Sequence, residues 1–269
     1  MKERLRSFVK KRRFFLNMAL SLYKFFDGLK RCGRHFKGLF RYYKDRAVYK
    51  KLNTPKSFCL NRLYDKKVLQ DWYDNAGSVG NYFWQDFWAA RLIYENKPTV
   101  HYDIGSRIDG FIGHLASFRE NIVLIDIRPL DSTIPGVNFF QDDATNLNNV
   151  EDSSIESISA LCSLEHFGLG RYGDSIDPEA CFKAMKSIVR VLKEGGHAYI
   201  SVPIGWEHVE FNAHRIFFAD SIVKAFEPLK LVEFSVSTAH GIERDVVLNH
   251  YDDDKNNMGG IFGLFHFVK

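Results

Sequence analysis

From about residue 99 onward, short apolar runs alternate with stretches of helical spacing. Residues 99–104, 121–127, 136–140 and 154–162 read as strands, each bounded by turn-forming residues. Residues 109–118 read as a helix. Residues 177–193 read as another, because Cys181, Ala184, Ile188 and Val191 share one face. Residues 196–203, 229–237 and 259–268 supply three more strands. This alternation predicts a parallel sheet covered on both faces, with ligands at the carboxyl ends of its strands. Upstream, "RLYDKKVLQDWY" and "YFWQDFWAARLIYENKP" read as helices between loop-like "NTPKS" and "DNAGSVGN". In the second helix Phe83, Phe87, Ala90 and Tyr94 share a packing face and Pro98 marks the end; Asp86 reads as solvated or capping, with contact to a ligand as the lesser alternative.

The first 51 residues differ in kind. Phe15, Ala19, Leu22 and Phe26 recur at i, i+4, i+7 and i+11, framed by Arg12, Arg13 and Lys24. Phe36, Leu39, Phe40 and Tyr43 make a second apolar patch. This segment holds 17 Lys and Arg against 3 Asp and Glu; the remainder holds 20 against 30. A cationic helix with Phe and Leu on one side suits the headgroup plane of an anionic membrane; packing of that face on the body or in an oligomer ranks second, and a nucleic-acid partner below it. No apolar run is long enough to span a bilayer. The start imitates a signal peptide, but Asn17 and Lys24 interrupt it and no small-residue cleavage site follows, so it reads as retained. Four scattered cysteines form no CxxC pair, which favours a reducing compartment over a disulfide or metal framework. The expected organisation is a basic amphipathic helical extension, 1–51, a helical connector, 52–98, and an α/β domain, 99–269.

The chemistry-bearing residues fall just after the expected strands. Asp103, Gly105 and Gly110 follow the first, and Asp126 ends the second, 21 residues after Gly105. That is the interval at which an acid grips ribose hydroxyls in nucleotide-binding folds. Asp142 and Asp143 follow the third strand, and "SLEHFGLGRYGD" follows the fourth. Counting from Gly105 gives G-S-R-I-D-G, so the second glycine of a dinucleotide loop is replaced by Arg107.

The segments "DIG", "IDI", "DDAT" and "LKEGGHAYISVP", in that order, resemble class I S-adenosylmethionine-dependent methyltransferases over about residues 99–240. "YFWQD", "HYDIGSRIDGFIGHLASF", "LIDIRPL", "SLEHFGLGRYGD" and "FNAHRIF" also look like a narrower family of methyltransferase-like proteins of unknown function. Its bacterial members often accompany surface-polysaccharide biosynthesis. The resemblance implies an α/β fold with a Rossmann-like, mostly parallel sheet of about seven strands, S-adenosylmethionine as cofactor, and a role for each strand end. Gly105 lets the backbone approach the methionine part, and Asp126 accepts from the ribose. Asp143 or Asp142 faces the adenine, and Asp103 orients the loop or meets the methionine ammonium. Arg107 is open to binding the methionine carboxylate, repelling the sulfonium, or marking a pocket for an anionic ligand.

The resemblance places transfer beside "SLEHFGLGRYGD". An attacking sugar hydroxyl needs in-line geometry and a base for its proton. His166 is the first candidate, because an ordinary imidazole titrates near neutrality, with Glu165 or Asp174 to orient it. His214 is the alternative base. Arg171, Tyr172, Asn212 and Arg215 are candidate acceptor-binding residues. The spacing of these groups is not a metal signature, so no metal is expected. The expected function is O-methylation of a sugar in a surface glycan or its precursor, at the cytoplasmic face of a membrane. The alternative, motivated by Arg107, is a non-catalytic scaffold or ligand-binding subunit of a membrane-associated glycan assembly complex.

Overall fold

The computed structural model describes residues 2–52, 58, 60–74, 76–77, 79–118, 121–253 and 260–269; the side chains of residues 2–21 and 23 lie outside the description. The chain divides into two compact units between Ser78 and Val79. The expected connector, 52–98, therefore falls on both sides of the division.

The first unit is carried by α1 (Lys2–Leu52). Arg12, Arg13, Phe15 and Ala19 belong to the undescribed side chains. From Leu22 onward Leu22, Phe25, Phe26, Leu29, Phe36, Phe40 and Tyr43 are all exposed. At 3.6 residues per turn they occupy one sector about 100° wide. The helix expected at 62–73 does not form. Two 3-10 turns, Arg62–Tyr64 and Asp71–Tyr73, flank a non-helical stretch. That stretch is tied back to α1: Arg46 Nε donates to Asp65 at 2.8 Å, and the Arg41 guanidinium lies 4.5 Å from the Trp72 ring centre. Gly38 admits Leu69, whose carbonyl a side chain there would strike. These contacts override a local helical preference. Among the described residues no helix is long and apolar enough to cross a membrane.

The second unit is built on an eight-stranded sheet. Its strands are β1 (His101–Ile104), β2 (Ile122–Asp126), β3 (Val137–Gln141), β4 (Ile155–Leu161), β5 (Leu192–Pro203), β8 (Lys230–Thr238), β9 (Gly241–Arg244) and β10 (Phe262–Val268). The spatial order is β3-β2-β1-β4-β5-β10-β8-β9. β1 to β5 pair in parallel, whereas β10 runs antiparallel to both β5 and β8. This is the Rossmann-like, mostly parallel sheet that the resemblance implied, with eight strands where about seven were expected. Two elements were invisible to periodicity: β9, and a separate ribbon of β6 (His208–Glu210) with β7 (His214–Ile216). Both are too short for an alternating pattern to register.

Helices cover both faces. On one side α4 (Ala180–Val191) buries Cys181, Ala184, Ile188 and Val191 beside Ile222 of α5 (Ala219–Ala225). On the other, α2 (Asn81–Asn96) buries Gln85, Asp86, Trp88, Ala89, Ala90 and Ile93. This corrects the expected face of α2, because Phe83, Phe87 and Tyr94 are exposed and only Ala90 of the four is inside. The inner face was chosen by fit and hydrogen bonding. Ala89 lets the helix approach, and Gln85 Oε1 accepts from Ser201 at 2.6 Å and from Cys162 at 2.9 Å.

A buried aromatic stack crosses β5 and β10. His197 Nδ1 lies 2.9 Å from His266 Nε2, and the Tyr199 and His266 rings stack at 4.8 Å. Burial pushes His266 down to about 4 and His197 in the same direction. The His266 ring is therefore neutral in the fold down to about pH 4, whereas an unfolded imidazole protonates near pH 6.5. His266 should thus withdraw about 2 kcal/mol of stability as pH falls from 6.5 to 4, a figure discounted for partial solvation. Urea unfolding of His266→Phe across that window should show a shallower loss than the parent; parallel curves would exclude this ring as the acid-sensitive group.

Candidate functional site

A cavity of about 750 Å³ opens at the carboxyl ends of β1, β2 and β4. Its floor begins where β1 ends. Asp103 is fully buried and accepts from the Ser106 amide at 3.0 Å, the Ser106 hydroxyl at 2.7 Å and the Ser159 hydroxyl at 2.5 Å. Burial pushes its carboxyl up to about 6. Of the two roles open to Asp103, it therefore takes the first: it orients the loop and does not line the cavity. Gly105 follows in the left-handed region at φ +67°, where a side chain would press within 3.2 Å of Ser163 Cβ. A bare backbone is thus presented to the cavity.

The loop next makes a π turn, Ile108–Ile112, before α3 (Gly113–Ala116). The Ile112 amide donates to the Arg107 carbonyl at 3.2 Å, an i+5 bond that absorbs one extra residue. Gly110 sits inside this turn because a side chain there would collide with the Asp86 carboxylate. Asp86 is therefore neither solvated nor a cap. It is buried under the loop and raised to about 6 by that burial. Arg107 lies at the rim, where Nη2 is 3.0 Å from Asp109 Oδ2. Both side chains of that pair are exposed.

Asp126 ends β2 and lines the cavity. It accepts from the Arg128 amide and Nε at 2.9 Å and from Arg128 Nη2 at 2.6 Å. Asp142 and Asp143 both reach the cavity after β3. Asp142 accepts from the Asp143 amide at 2.8 Å and Asn149 Nδ2 at 3.1 Å; Asp143 accepts from the Thr145 amide at 2.9 Å.

The loop after β4 supplies the opposite end. His166 Nδ1 lies 2.6 Å from the Ala213 carbonyl, which only accepts, so Nδ1 carries the proton and Nε2 keeps its lone pair. Arg171 Nη1 donates to the same carbonyl at 3.0 Å. The expected poise of His166 near neutrality is not realised: burial pushes it down to about 4, and Arg171 adds to this. Burial also raises Glu165 to about 8. Their 3.6 Å approach is therefore a contact between two neutral groups rather than an ion pair.

Other expected residues serve structure. Asp174 does not reach His166; it accepts from the amides of Gly168 (2.7 Å), Gly170 (3.2 Å) and Tyr172 (3.1 Å) and so shapes the loop. Arg215 is buried and donates to the carbonyls of Glu165 (3.3 Å), Phe167 (2.6 Å) and Pro178 (3.2 Å), which takes it out of the acceptor set. Asn212 is exposed between β6 and β7, away from the cavity lining. His214, Arg171 and Tyr172 do line it. Sequence reasoning missed Arg128, Cys162 and Ser163. Arg128 stood in the quoted "LIDIRPL", two residues past the acid it engages. Cys162 has φ +48°, a backbone that only the fold discloses.

Among the described residues, Ser163 Oγ and Glu165 Oε2, both on residues lining this cavity, are buried without a hydrogen-bond partner; His214 Nε2 makes no hydrogen bond but lies 3.4 Å from Glu210 Oε2. Leaving such a group unpaired costs about 1–3 kcal/mol, which a polar ligand would recover.

Residues 134–255 match a family described as "Caenorhabditis protein of unknown function, DUF268". No curated protein matches. Similar solved structures include the N-methyltransferase NodS of Bradyrhizobium japonicum WM9 in complex with S-adenosyl-L-homocysteine. It is 15% identical, with TM-score 0.49, over 69% of this chain and 85% of that one. Another is the 1,6-didemethyltoxoflavin-N1-methyltransferase of Burkholderia thailandensis, with bound 1,6-didemethyltoxoflavin and S-adenosylhomocysteine. It is 13% identical, with TM-score 0.47, over 88% of this chain and 90% of that one. A third is the [4+2]-cyclase SpnF, 15% identical, with TM-score 0.47, over 68% and 81%. The fold assignment rests on the strand order itself.

Proposed function

We propose that this chain is an S-adenosylmethionine-dependent methyltransferase that O-methylates a sugar of a surface glycan or its precursor. The observation that carries the reading is the pair of unpartnered polar atoms on Ser163 and Glu165, in one cavity with Asp126 and the bare Gly105 backbone. Its volume, about 750 Å³, lies within the range of small-molecule and cofactor sites. The residues present fit the cofactor. Gly105 would admit its methionine part, Asp126 would accept from its ribose beside or in place of Arg128, and Asp142 or Asp143 would serve its adenine. When bound, the cofactor supplies an electrophilic methyl group on a sulfonium.

His166 acts as the base at Nε2, because Nδ1 is held by the Ala213 carbonyl. It is neutral at physiological pH, so Nε2 can take the acceptor hydroxyl's proton, as a weaker base than an ordinary imidazole. His214 is the alternative. Glu165, protonated at that pH, offers a hydrogen bond to the acceptor rather than a charge.

The test is calorimetric titration of the full chain with S-adenosylhomocysteine. Micromolar binding is expected. Silence at millimolar ligand would remove the transferase reading. It would leave the non-catalytic ligand-binding alternative, which is favoured by one observation: Arg128 already engages both oxygens of Asp126.

We further propose that the basic arm attaches the enzyme to an anionic membrane surface, at the cytoplasmic face. The exposed stripe from Leu22 to Tyr43 would enter the headgroup layer, and Lys30, Arg34 and Lys37 would add about 1 kcal/mol each near such a surface. In flotation assays the chain should rise with phosphatidylglycerol-containing vesicles, and not with phosphatidylcholine alone. Equal partitioning into both, or into neither, would disprove the electrostatic attachment.

A further inference from the structure

The transferase reading leaves the acceptor's chemistry open, and the charges around the cavity narrow it. Most ionic groups there already have a partner of opposite charge or a set of amides. Arg107 faces Asp109, Asp177 faces Lys183, and Asp174 is consumed by loop amides. Arg171 is different. It lines the cavity and is exposed, and among the described residues no carboxylate pairs with it. The nearby Glu165 does not neutralise it, because burial keeps that carboxyl protonated at physiological pH. Arg171 Nη1 is steered by the Ala213 carbonyl at 3.0 Å. Its guanidinium carbon lies 5.0 Å from the Tyr172 ring centre, and that of Arg128 lies 4.5 Å from the same centre. Two guanidinium groups are thus gathered around one aromatic ring at the mouth of a cavity that also holds the unpartnered Ser163 Oγ and Glu165 Oε2. Ser163 is 5% exposed and Glu165 2%.

We infer that the acceptor subsite takes an oxyanion, a phosphate or carboxylate borne by the sugar, held by Arg171 and Arg128 beside Tyr172. The inference rests on the transferase reading for the identity of the second ligand, but its binding chemistry stands on these residues alone. Guanidinium groups suit this task because their fork matches the paired oxygens of both anions. Arg128 adds a link between the two ligands. In the structure it donates to Asp126, the carboxylate assigned to the ribose. Ribose hydroxyls donating to Asp126 would loosen that hold and free the half-exposed Arg128 for the anion. Cofactor and anionic acceptor should therefore each tighten the other's binding, by the same factor.

The experiment is calorimetry on the full chain with three probes: glucose, glucose 6-phosphate and glucuronate. Each is titrated with and without saturating S-adenosylhomocysteine. At least one charged probe should bind about 10-fold or more tighter than glucose, the worth of a charge-assisted pair. The phosphate and carboxylate arms identify which anion is used. Arg171→Ala should erase the difference while leaving S-adenosylhomocysteine affinity unchanged, and Arg128→Ala should abolish the mutual tightening. Both side chains are solvent-accessible, and thermal melting of each variant verifies folding. Glucose binding as well as its charged relatives, or a preference indifferent to Arg171, would overturn the inference while the cofactor arm still reads the transferase assignment. Charged probes that bind through Arg171 while S-adenosylhomocysteine does not would preserve the anion subsite and dismiss the transferase.

Discussion

Asp126→Ala should weaken S-adenosylhomocysteine binding about 100-fold, the loss of two hydrogen bonds to a charged acceptor at roughly 1.5 kcal/mol each. The carboxylate ends β2, lines the cavity, and has no catalytic duty to confuse the result. The substitution also leaves Arg128 without its ion pair. Asp126→Asn is therefore the sharper companion: it keeps the shape and hydrogen-bonding capacity but removes the charge. It should fall between parent and alanine variant. If Asp126→Ala binds as the parent does, the ribose is held elsewhere and the assignment of this strand end fails.

The largest expected effect on stability lies in the loop after β4. Gly168→Ala should cost about 3 kcal/mol or more, the magnitude of backbone strain combined with overpacking. Gly168 has φ +74°, and an added Cβ would overlap the Asp177 carbonyl oxygen and come within 2.8 Å of Ala180 Cβ. Gly173 in the same loop has φ +85° but nothing within 4 Å, so Gly173→Ala should cost only about 1 kcal/mol for the left-handed backbone. Urea midpoints of the two variants measure the contrast. Equal losses would mean that the loop is not packed against the start of α4. The same comparison bears on function, because this loop carries His166, Arg171 and Tyr172.

The fold was largely legible. Seven strand segments from 99–104 to 259–268 and the helix at 177–193 stand in the chain as alternating apolar periods, and their order alone implies the sheet. The failures have physical causes. α2 carries aromatic residues at helical spacing, yet its buried face is the one with Ala89 and Gln85, because the sheet selects close approach and paired polar atoms over bulk. The 62–73 segment has helical composition but spends its contacts on α1. β6, β7 and β9 are pairings whose partners only tertiary structure supplies.

The site divides along the same line. Residues whose proposed role comes from position at a strand end, Gly105, Asp126, Asp142 and Asp143, were determined by the sequence, because strand length and turn chemistry place them wherever the sheet forms. Residues that act by environment were decided by the tertiary structure. Asp103, Asp174 and Arg215 are polar side chains of the right kind in the right segments, but burial turns each toward backbone or hydroxyl groups that sequence does not show to be near. Arg128 and Arg171 gained their candidate role because Tyr172 gathers them and Glu165 does not neutralise one of them. Position along a strand is a local property of the chain, whereas desolvation and charge pairing are sums over neighbours that only folding brings together.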